Sequence, residues 1–368
     1  MKIIYDAKRA FHNSSGLGNY SRDLIRMMAE KWPDSEFILL NPKPSKRTPF
    51  VAPNIREIRP KRKTFGTFWR LFRAFKIANQ NKGEIFHGLS NELPYGNDYG
   101  IKKIVTIHDV IFLRHPEWYK SFDCKIYRKK TLKACEKADV IIAISEQTKS
   151  DLIEFLNVPS SKIQVVYQTC HKAFITQYSE EELEDVRKRY HLPTSFLLNV
   201  GTIEPRKNAF SIVKALKDIP EIPLVIIGRK TDYYQQIETF SKQNKLEDRI
   251  FTPKVDSMED LAMIYQMANV FIYPSLFEGF GIPIIEALFS NTPVITNKNG
   301  VFPEAAGPHS YYCDINNIKS ISDQIKYVLE NPIEVESACK ESRIFAEKFT
   351  QATLANQWAN IYNQLLDS

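Results

Sequence analysis

The residues best suited to chemistry lie in the run Phe277-Glu278-Gly279-Phe280-Gly281-Ile282-Pro283, continued by Ile284-Ile285-Glu286-Ala287-Leu288. Gly279 and Gly281 let a backbone approach a ligand closely, and Pro283 presets the first turn of a helix. The expected product is a glycine loop feeding a helix N-terminus, whose free N–H groups and positive dipole end suit a diphosphate. Glu278 sits on the loop and Glu286 in the first turns of the helix, so one carboxylate can face a transferred sugar and the other can accept hydrogen bonds from a ribose diol. The alternative for Glu286 is ordinary helix-start chemistry, an acid complementing the dipole.

A second cluster, Gly201-Thr202-Ile203-Glu204-Pro205-Arg206-Lys207-Asn208, places two adjacent cations on a turn. Arg206 can grip a pyrophosphate bidentately and Lys207 can act as a point charge, unless both are simply solvated surface cations. A third loop, Gly16-Leu17-Gly18-Asn19-Tyr20-Ser21-Arg22, matches a dinucleotide fingerprint only in part, with Ser21 where the third glycine belongs. His108-Asp109 and His87-Gly88 put imidazoles at what read as equivalent strand ends. Such a pair points to substrate contact, against the structural role of most single histidines.

These residues need a scaffold, and the apolar runs supply one. Residues 2–5, 37–40, 85–87, 104–107 and 140–144 read as buried strands in the first half of the chain. Residues 196–200, 224–227, 270–273 and 294–296 do so in the second. Strands alternating with helical stretches predict parallel sheets covered on both faces, because a parallel connection needs a crossover helix. Ligands of such sheets sit at the carboxyl ends of the strands, where all five clusters fall. The boundary is expected between Tyr167 and Pro193, around a polar helix over 179–189 and the breaker His191-Leu192-Pro193. Leu354, Trp358, Ile361, Tyr362 and Leu365 recur at helical spacing near the end of the chain, and that helix needs an apolar surface to cover.

With 368 residues, 43% of them hydrophobic and 25% charged, the chain fits two globular domains and neither a disordered nor a fibrous class. Five scattered cysteines without a C-x-x-C pair fit a reducing cytoplasm. No apolar leader opens the sequence, and no run approaches the length of a bilayer, so the expectation is a soluble protein or one lying on a membrane surface. Net charge is +7, concentrated between Arg56 and Lys82, where nine Lys or Arg and one acid interleave with Phe65, Phe68, Trp69, Phe72 and Phe75. That segment reads either as an interfacial helix meeting anionic lipid or as a helix packing its aromatics inward; nucleic-acid binding lacks an accompanying module.

Taken together, Gly-Thr-x-Glu-Pro-Arg-Lys-Asn at 201–208, the Glu278 to Glu286 spacing within Phe-Glu-Gly-Phe-Gly-x-Pro, the Gly16-x-Gly18 loop and Ile107-His108-Asp109 resemble the retaining GT-B glycosyltransferases of family four. The resemblance runs over nearly the whole chain. It implies an α/β fold of two Rossmann-like, doubly wound domains facing a central cleft, with the last helix crossing back to the first domain. The implied domains are residues 1–170 with 350–368, binding the acceptor, and 171–349, binding the nucleotide-sugar donor.

The resemblance further implies that Arg206 and Lys207 hold the donor diphosphate, Glu286 the ribose and Glu278 the transferred sugar, assisted by backbone N–H groups of Phe280, Gly281 and Ile282 beside Gly279. His108 would contact the sugar, Gly16 and Gly18 would close on the phosphates, Gly201 opens the cationic turn, and Gly228 would lie near the base pocket. His87 and Asp109 are weaker sugar or acceptor contacts. Val165-Val166-Tyr167-Gln168-Thr169 departs from the family's usual Asn-Gly entry to the linker. No cofactor or metal is expected. Tyr5-Asp6-Ala7-Lys8-Arg9 and His87-Gly88-Leu89-Ser90 look similar to bacterial mannosyltransferases building surface polysaccharides, which makes GDP-mannose the first donor and UDP-sugars the next, with a glycan or lipid-linked glycan as acceptor. The competing readings are a nucleotide-sugar epimerase or hydrolase, a silent binding protein, and a dehydrogenase.

Overall fold

A computed structural model describes residues 1–13, 16–45, 50–61, 65–219 and 221–368. It forms two compact units, Met1–Thr169 with Gln351–Ser368, and Cys170–Thr350.

The first unit holds strands β1 (Lys2–Asp6), β2 (Glu36–Leu40), β3 (Ile55–Ile58), β4 (Ile85–Gly88), β5 (Lys102–Ile107), β6 (Val140–Ala143) and β7 (Ile163–Val165). They are all parallel, in the order β3-β2-β1-β4-β5-β6-β7. The chain winds outward from β1 in one direction and from β4 in the other, so the topological switch lies between these two strands. The second unit repeats the plan with β8 (Leu197–Val200), β9 (Leu224–Ile227), β10 (Ile250–Phe251), β11 (Val270–Tyr273), β12 (Val294–Asn297) and β13 (Tyr311–Cys313). Its order is β10-β9-β8-β11-β12-β13, again parallel, with the switch between β8 and β11. Ligand crevices form at such switches because the loops leaving the two strands diverge to opposite faces of the sheet.

The nine apolar runs are all strands, and the structure adds β3, β7, β10 and β13. Each of these four is a sheet edge.

The helix Gln351–Asp367 belongs to the first unit, where Leu354, Trp358, Ile361, Tyr362 and Leu365 enter one core with Ile3, Tyr5, Leu24, Met28 and Phe37. Burying each of these large side chains contributes about 1.5–3 kcal/mol, which fixes this last helix over the sheet.

The basic aromatic segment corrects the expectation of a single aromatic helical face. It breaks at Arg73 into helices Gly66–Phe72 and Ala74–Gln80. Trp69, Arg70, Ala74, Phe75 and Ala78 are buried, while Phe65, Phe68 and Phe72 are exposed. Arg62 and Lys63 of this segment lie outside the described residues. Among the described residues no helix is long and apolar enough to cross a membrane.

Candidate active site

The switch point of the second unit brings the two strongest sequence clusters together. After β8, Gly201 takes φ +148°, Pro205–Lys207 make one tight helical turn, and Asn208 ends it in the left-handed conformation. After β11 the chain runs through Pro274 to Gly281, which at φ +119° opens the helix Ile282–Phe289 with Pro283 in its first turn. The Leu276 amide donates to the Arg206 carbonyl at 2.8 Å, and Asn208 Nδ2 to the Pro274 carbonyl at 3.2 Å, so backbone contacts fasten one loop to the other.

Glu278 is the centre of this junction. Its Oε1 lies 2.6 Å from Lys207 Nζ and its Oε2 2.8 Å from Arg206 Nη1. Arg206 also donates to the Phe277 carbonyl at 2.8 Å and pairs with Glu204 at 2.9 Å. Lys207 donates to the Tyr273 hydroxyl at 2.7 Å, and that hydroxyl donates to Glu278 at 3.2 Å. Burial pushes the Glu278 carboxyl up, but Lys207 and Arg206 outweigh it and hold the group below its ordinary value. Burial alone would lower Lys207, yet the facing carboxylate raises it to about 12. Arg206 is raised likewise by Glu278 and Glu204 against its burial. The result is a cluster of two cations and two carboxylates at a strand's carboxyl end.

Glu286 has a different environment. It is buried in the helix after Gly281 and accepts a 3.0 Å hydrogen bond from the Tyr265 hydroxyl, and among the described residues no cation pairs with it. Burial, opposed only by Tyr265, pushes its carboxyl up to about 7. Two acids eight positions apart therefore differ in charge near neutrality, one fixed as an anion and one poised to exchange a proton.

The glycines serve several ends. A Cβ on Gly228 would fall 1.8 Å from the Gly201 carbonyl oxygen, so Gly228 lets the ends of β8 and β9 approach. The ring of Phe280 is buried against Phe349, with centroids 5.4 Å apart, which leaves its backbone as the part open to a ligand role. Ile282 is half-buried at the start of its helix, and Gly279 half-buried on the loop before it.

In the first unit, a short helix, Lys8–His12, separates β1 from the helix Gly16–Lys31, so Gly16 and Gly18 stand in a first helical turn and not in a loop directly following the strand. Gly16 faces open space, whereas a Cβ on Gly18 would lie 2.0 Å from the Asn13 carbonyl oxygen. Gly18 is thus required for internal packing. His108 Nε2 donates to the Leu89 carbonyl at 2.9 Å, and Gln168 donates to His108 Nδ1 at 3.2 Å. Burial and the nearby Arg9 push this imidazole down to about 4 despite the Leu89 bond, so it is neutral near pH 7. Gln168 lies in the segment that departs from the family pattern, and here it orients the histidine. His108 and Asp109 border a cavity of about 260 Å³ shared with Arg9, Asn91, Glu92, Tyr127 and Lys130. Asp109 also accepts the Ile111 amide at 3.2 Å.

His87 is a correction. It is fully buried, with Nδ1 2.7 Å from the Tyr362 hydroxyl and Nε2 2.9 Å from Thr106 Oγ1. The helix Gln351–Asp367 covers it, so it is a core residue of the first unit. Sequence reasoning missed Tyr273 and Tyr265, the hydroxyls that hold the two glutamates, because each reads as one more apolar residue in its element. Arg9 was visible only as part of a motif.

The Glycosyl transferases group 1 family model matches residues 182–344, and the Glycosyltransferase Family 4 model matches residues 14–169. O-antigen chain mannosyltransferase B of Escherichia coli is 25% identical over 99% of this chain and 100% of its own. O-antigen chain mannosyltransferase RfbU of Salmonella typhimurium is 30% identical over 62% of this chain and 61% of its own. Among solved structures, sucrose-phosphate synthase from Thermosynechococcus elongatus superposes with a TM-score of 0.80 at 19% identity, covering 100% of this chain and 99% of that one. Anabaena HepE in complex with UDP and glucose does so at 0.77 and 14% identity, covering 99% and 100%. Two family models that match one unit each, and a fold shared end to end with these structures, place the chain in a defined group: it belongs to the family 4, group 1 glycosyltransferases and is a GT-B enzyme of two Rossmann-like domains.

Proposed function

We propose that the enzyme transfers a hexose, mannose from GDP-mannose before a UDP-sugar, to a glycan or lipid-linked glycan acceptor during surface polysaccharide synthesis, with retention of configuration. The observation that carries this reading is the meeting of Arg206, Lys207 and Glu278 from two separate loops at the switch point of one sheet. A diphosphate leaving group gains negative charge as its bond to the sugar breaks. Cations already fixed where that charge grows stabilise the transition state more than the ground state, and this difference accelerates the step.

In this reading the diphosphate competes with Glu278 for the two cations, and Glu278, once partly released, turns to the sugar hydroxyls. Backbone N–H groups at Gly281 and Ile282 add the helix dipole, and Glu286 accepts the ribose diol. The acceptor enters beside His108 and Asp109 in the first unit. Front-face attack, with the departing phosphate oxygen taking the acceptor proton, accounts for retention without an enzyme nucleophile. Arg206 and Lys207 perform the charge neutralisation, so no metal is assigned a part. Support for mannose comes from the two O-antigen mannosyltransferases that the chain resembles. The exposed phenylalanines and cations of the Arg56 to Lys82 segment support a position on an anionic membrane surface facing the cytoplasm.

The test is incubation of the purified chain with GDP-mannose, UDP-glucose or UDP-galactose and a lipid-linked oligosaccharide, with product configuration read by NMR. An α-mannosyl product from GDP-mannose, undiminished by EDTA, is expected. Release of free sugar at the same rate with and without acceptor overturns transfer in favour of hydrolysis.

A further inference from the structure

Apart from Val51, Tyr99 and Ile153, the exposed large apolar side chains of the first unit fall in two groups. Phe65, Phe68 and Phe72 are 63%, 57% and 52% exposed, and Phe122 is 73% exposed with Tyr127, Tyr119 and Trp118 near it in sequence. The second group belongs to the helix Ser121–Lys137 and the turn before it, which the sequence reading passed over. Residues 120–137 hold seven Lys or Arg against two acids.

Phe122, Lys129 and Lys133 are spaced by seven and four positions, so they share one face of this helix, with Lys125 beside them. Phe122 to Lys133 spans about 16 Å of helix at 1.5 Å per residue. At its far end the Lys133 ammonium lies 5.4 Å from the Tyr95 ring, Tyr95 lies 5.5 Å from Phe72, and Phe72 stacks on Phe68 at 4.8 Å. One continuous strip therefore joins the two groups.

Buried charge locks the strip from beneath. Arg70, on the helix that carries Phe68 and Phe72, binds Asp6 at 2.6 Å and also Glu92, and Glu92 binds Lys130 of the second helix at 3.0 Å. Beside Phe65 and Phe68 a groove of about 680 Å³ is rimmed by Arg59, Lys61 and Arg73.

We infer that the helix Ser121–Lys137 is a second arm of the membrane-docking face, acting together with the helix Gly66–Phe72 on an anionic bilayer. The strip requires a partner with negative charge in one layer and an apolar layer just below it. A bilayer of acidic lipid offers both within the depth of a phenylalanine ring, whereas a nucleic acid offers no layer for Phe122 to enter. The two-armed contact holds the first unit at the surface in a fixed orientation, where a one-helix contact would leave it free to roll. It extends the membrane part of the reading above, and binding is measured without any transfer reaction.

The experiment is co-sedimentation of the full chain with vesicles of 30 mol% phosphatidylglycerol in phosphatidylcholine, and with pure phosphatidylcholine. Binding to the anionic vesicles alone is expected. The triple variant K125Q/K129Q/K133Q should weaken partitioning by about two orders of magnitude, since each lysine near an anionic surface counts for roughly fivefold. Phe122→Ser should weaken it further, although the first arm is intact in both variants. Unchanged melting temperature and an unchanged thermal shift with GDP show that the variants are folded and that the nucleotide reading stands apart. Triple-variant binding equal to that of the wild type overturns the second arm. So does vesicle-independent self-association that Phe122→Ser abolishes, which would assign the strip to a second copy of the chain.

Discussion

Lys207 Nζ lies 2.6 Å from Glu278 Oε1, a cation from the loop after β8 held by a carboxylate from the loop after β11. Neither loop could fix its own charge alone. The pairing keeps a lysine ionised and aimed inside a largely buried pocket, and Arg206 completes it from the other carboxylate oxygen.

This pairing separates stability from catalysis. Lys207→Ala leaves Glu278 buried without one of its cations and should cost about 3 kcal/mol of stability in urea unfolding. The same change should lower turnover roughly 10²-fold, as for other preorganised charge stabilisers. The double variant K207A/E278Q should regain most of the stability and none of the turnover, because the orphaned charge is gone while the diphosphate still lacks its cation.

Glu286 gives a pH signature. Its folded carboxyl is raised by burial to about 7 from an ordinary 4.5, so its contribution to stability is full below 4.5 and is lost as pH rises through 7. The melting temperature of the wild type should fall across that window relative to Glu286→Gln, which has no proton to lose. A ribose diol donating to Glu286 favours the anion, so nucleotide binding below pH 7 should release a proton. Calorimetry in two buffers of different ionisation enthalpy measures that release, and Glu286→Gln should abolish it.

The two histidines at neighbouring strand ends should behave differently. His87→Ala removes a buried ring and its two hydrogen bonds, with an expected loss of about 2–4 kcal/mol and little change in kcat/KM of the folded enzyme. His108→Ala, at the rim of the cavity, should raise the acceptor KM. Steady-state kinetics with denaturant curves distinguish the two.

Much of this was legible in the sequence, for a physical reason. The nine recognised strands lie inside their sheets, where burial on both faces writes a continuous apolar run. β3, β7, β10 and β13 are edges, and the half-exposed Ile55–Ile58 or the two-residue Ile250–Phe251 carry no such run. Arg206, Lys207 and Glu278 stood out because unusual residues followed recognisable strands. His87 was misread because its burial is imposed by Tyr362, 275 residues away, which no local pattern reports. Arg70 looked like one more surface cation, and only the folded chain brings Asp6 and Glu92 to it.

The glycines test the backbone geometry. Gly16→Ala, with open space around the new methyl, should leave stability unchanged or slightly raised, since alanine favours a helix. Gly18→Ala and Gly228→Ala would each drive a methyl into a carbonyl and should cost about 3 kcal/mol or more. Thermal denaturation of the three variants side by side provides the comparison.

The central claim is that Arg206 and Lys207 receive the diphosphate of a sugar donor. Calorimetric titration of GDP, UDP, GMP and guanosine onto the wild type, Arg206→Ala and Lys207→Ala tests it most directly. A nucleoside diphosphate should bind the wild type and lose at least about tenfold in affinity in each variant, the loss of one charge-assisted contact, while guanosine is unaffected. Equal diphosphate affinity in all three proteins would contradict the account.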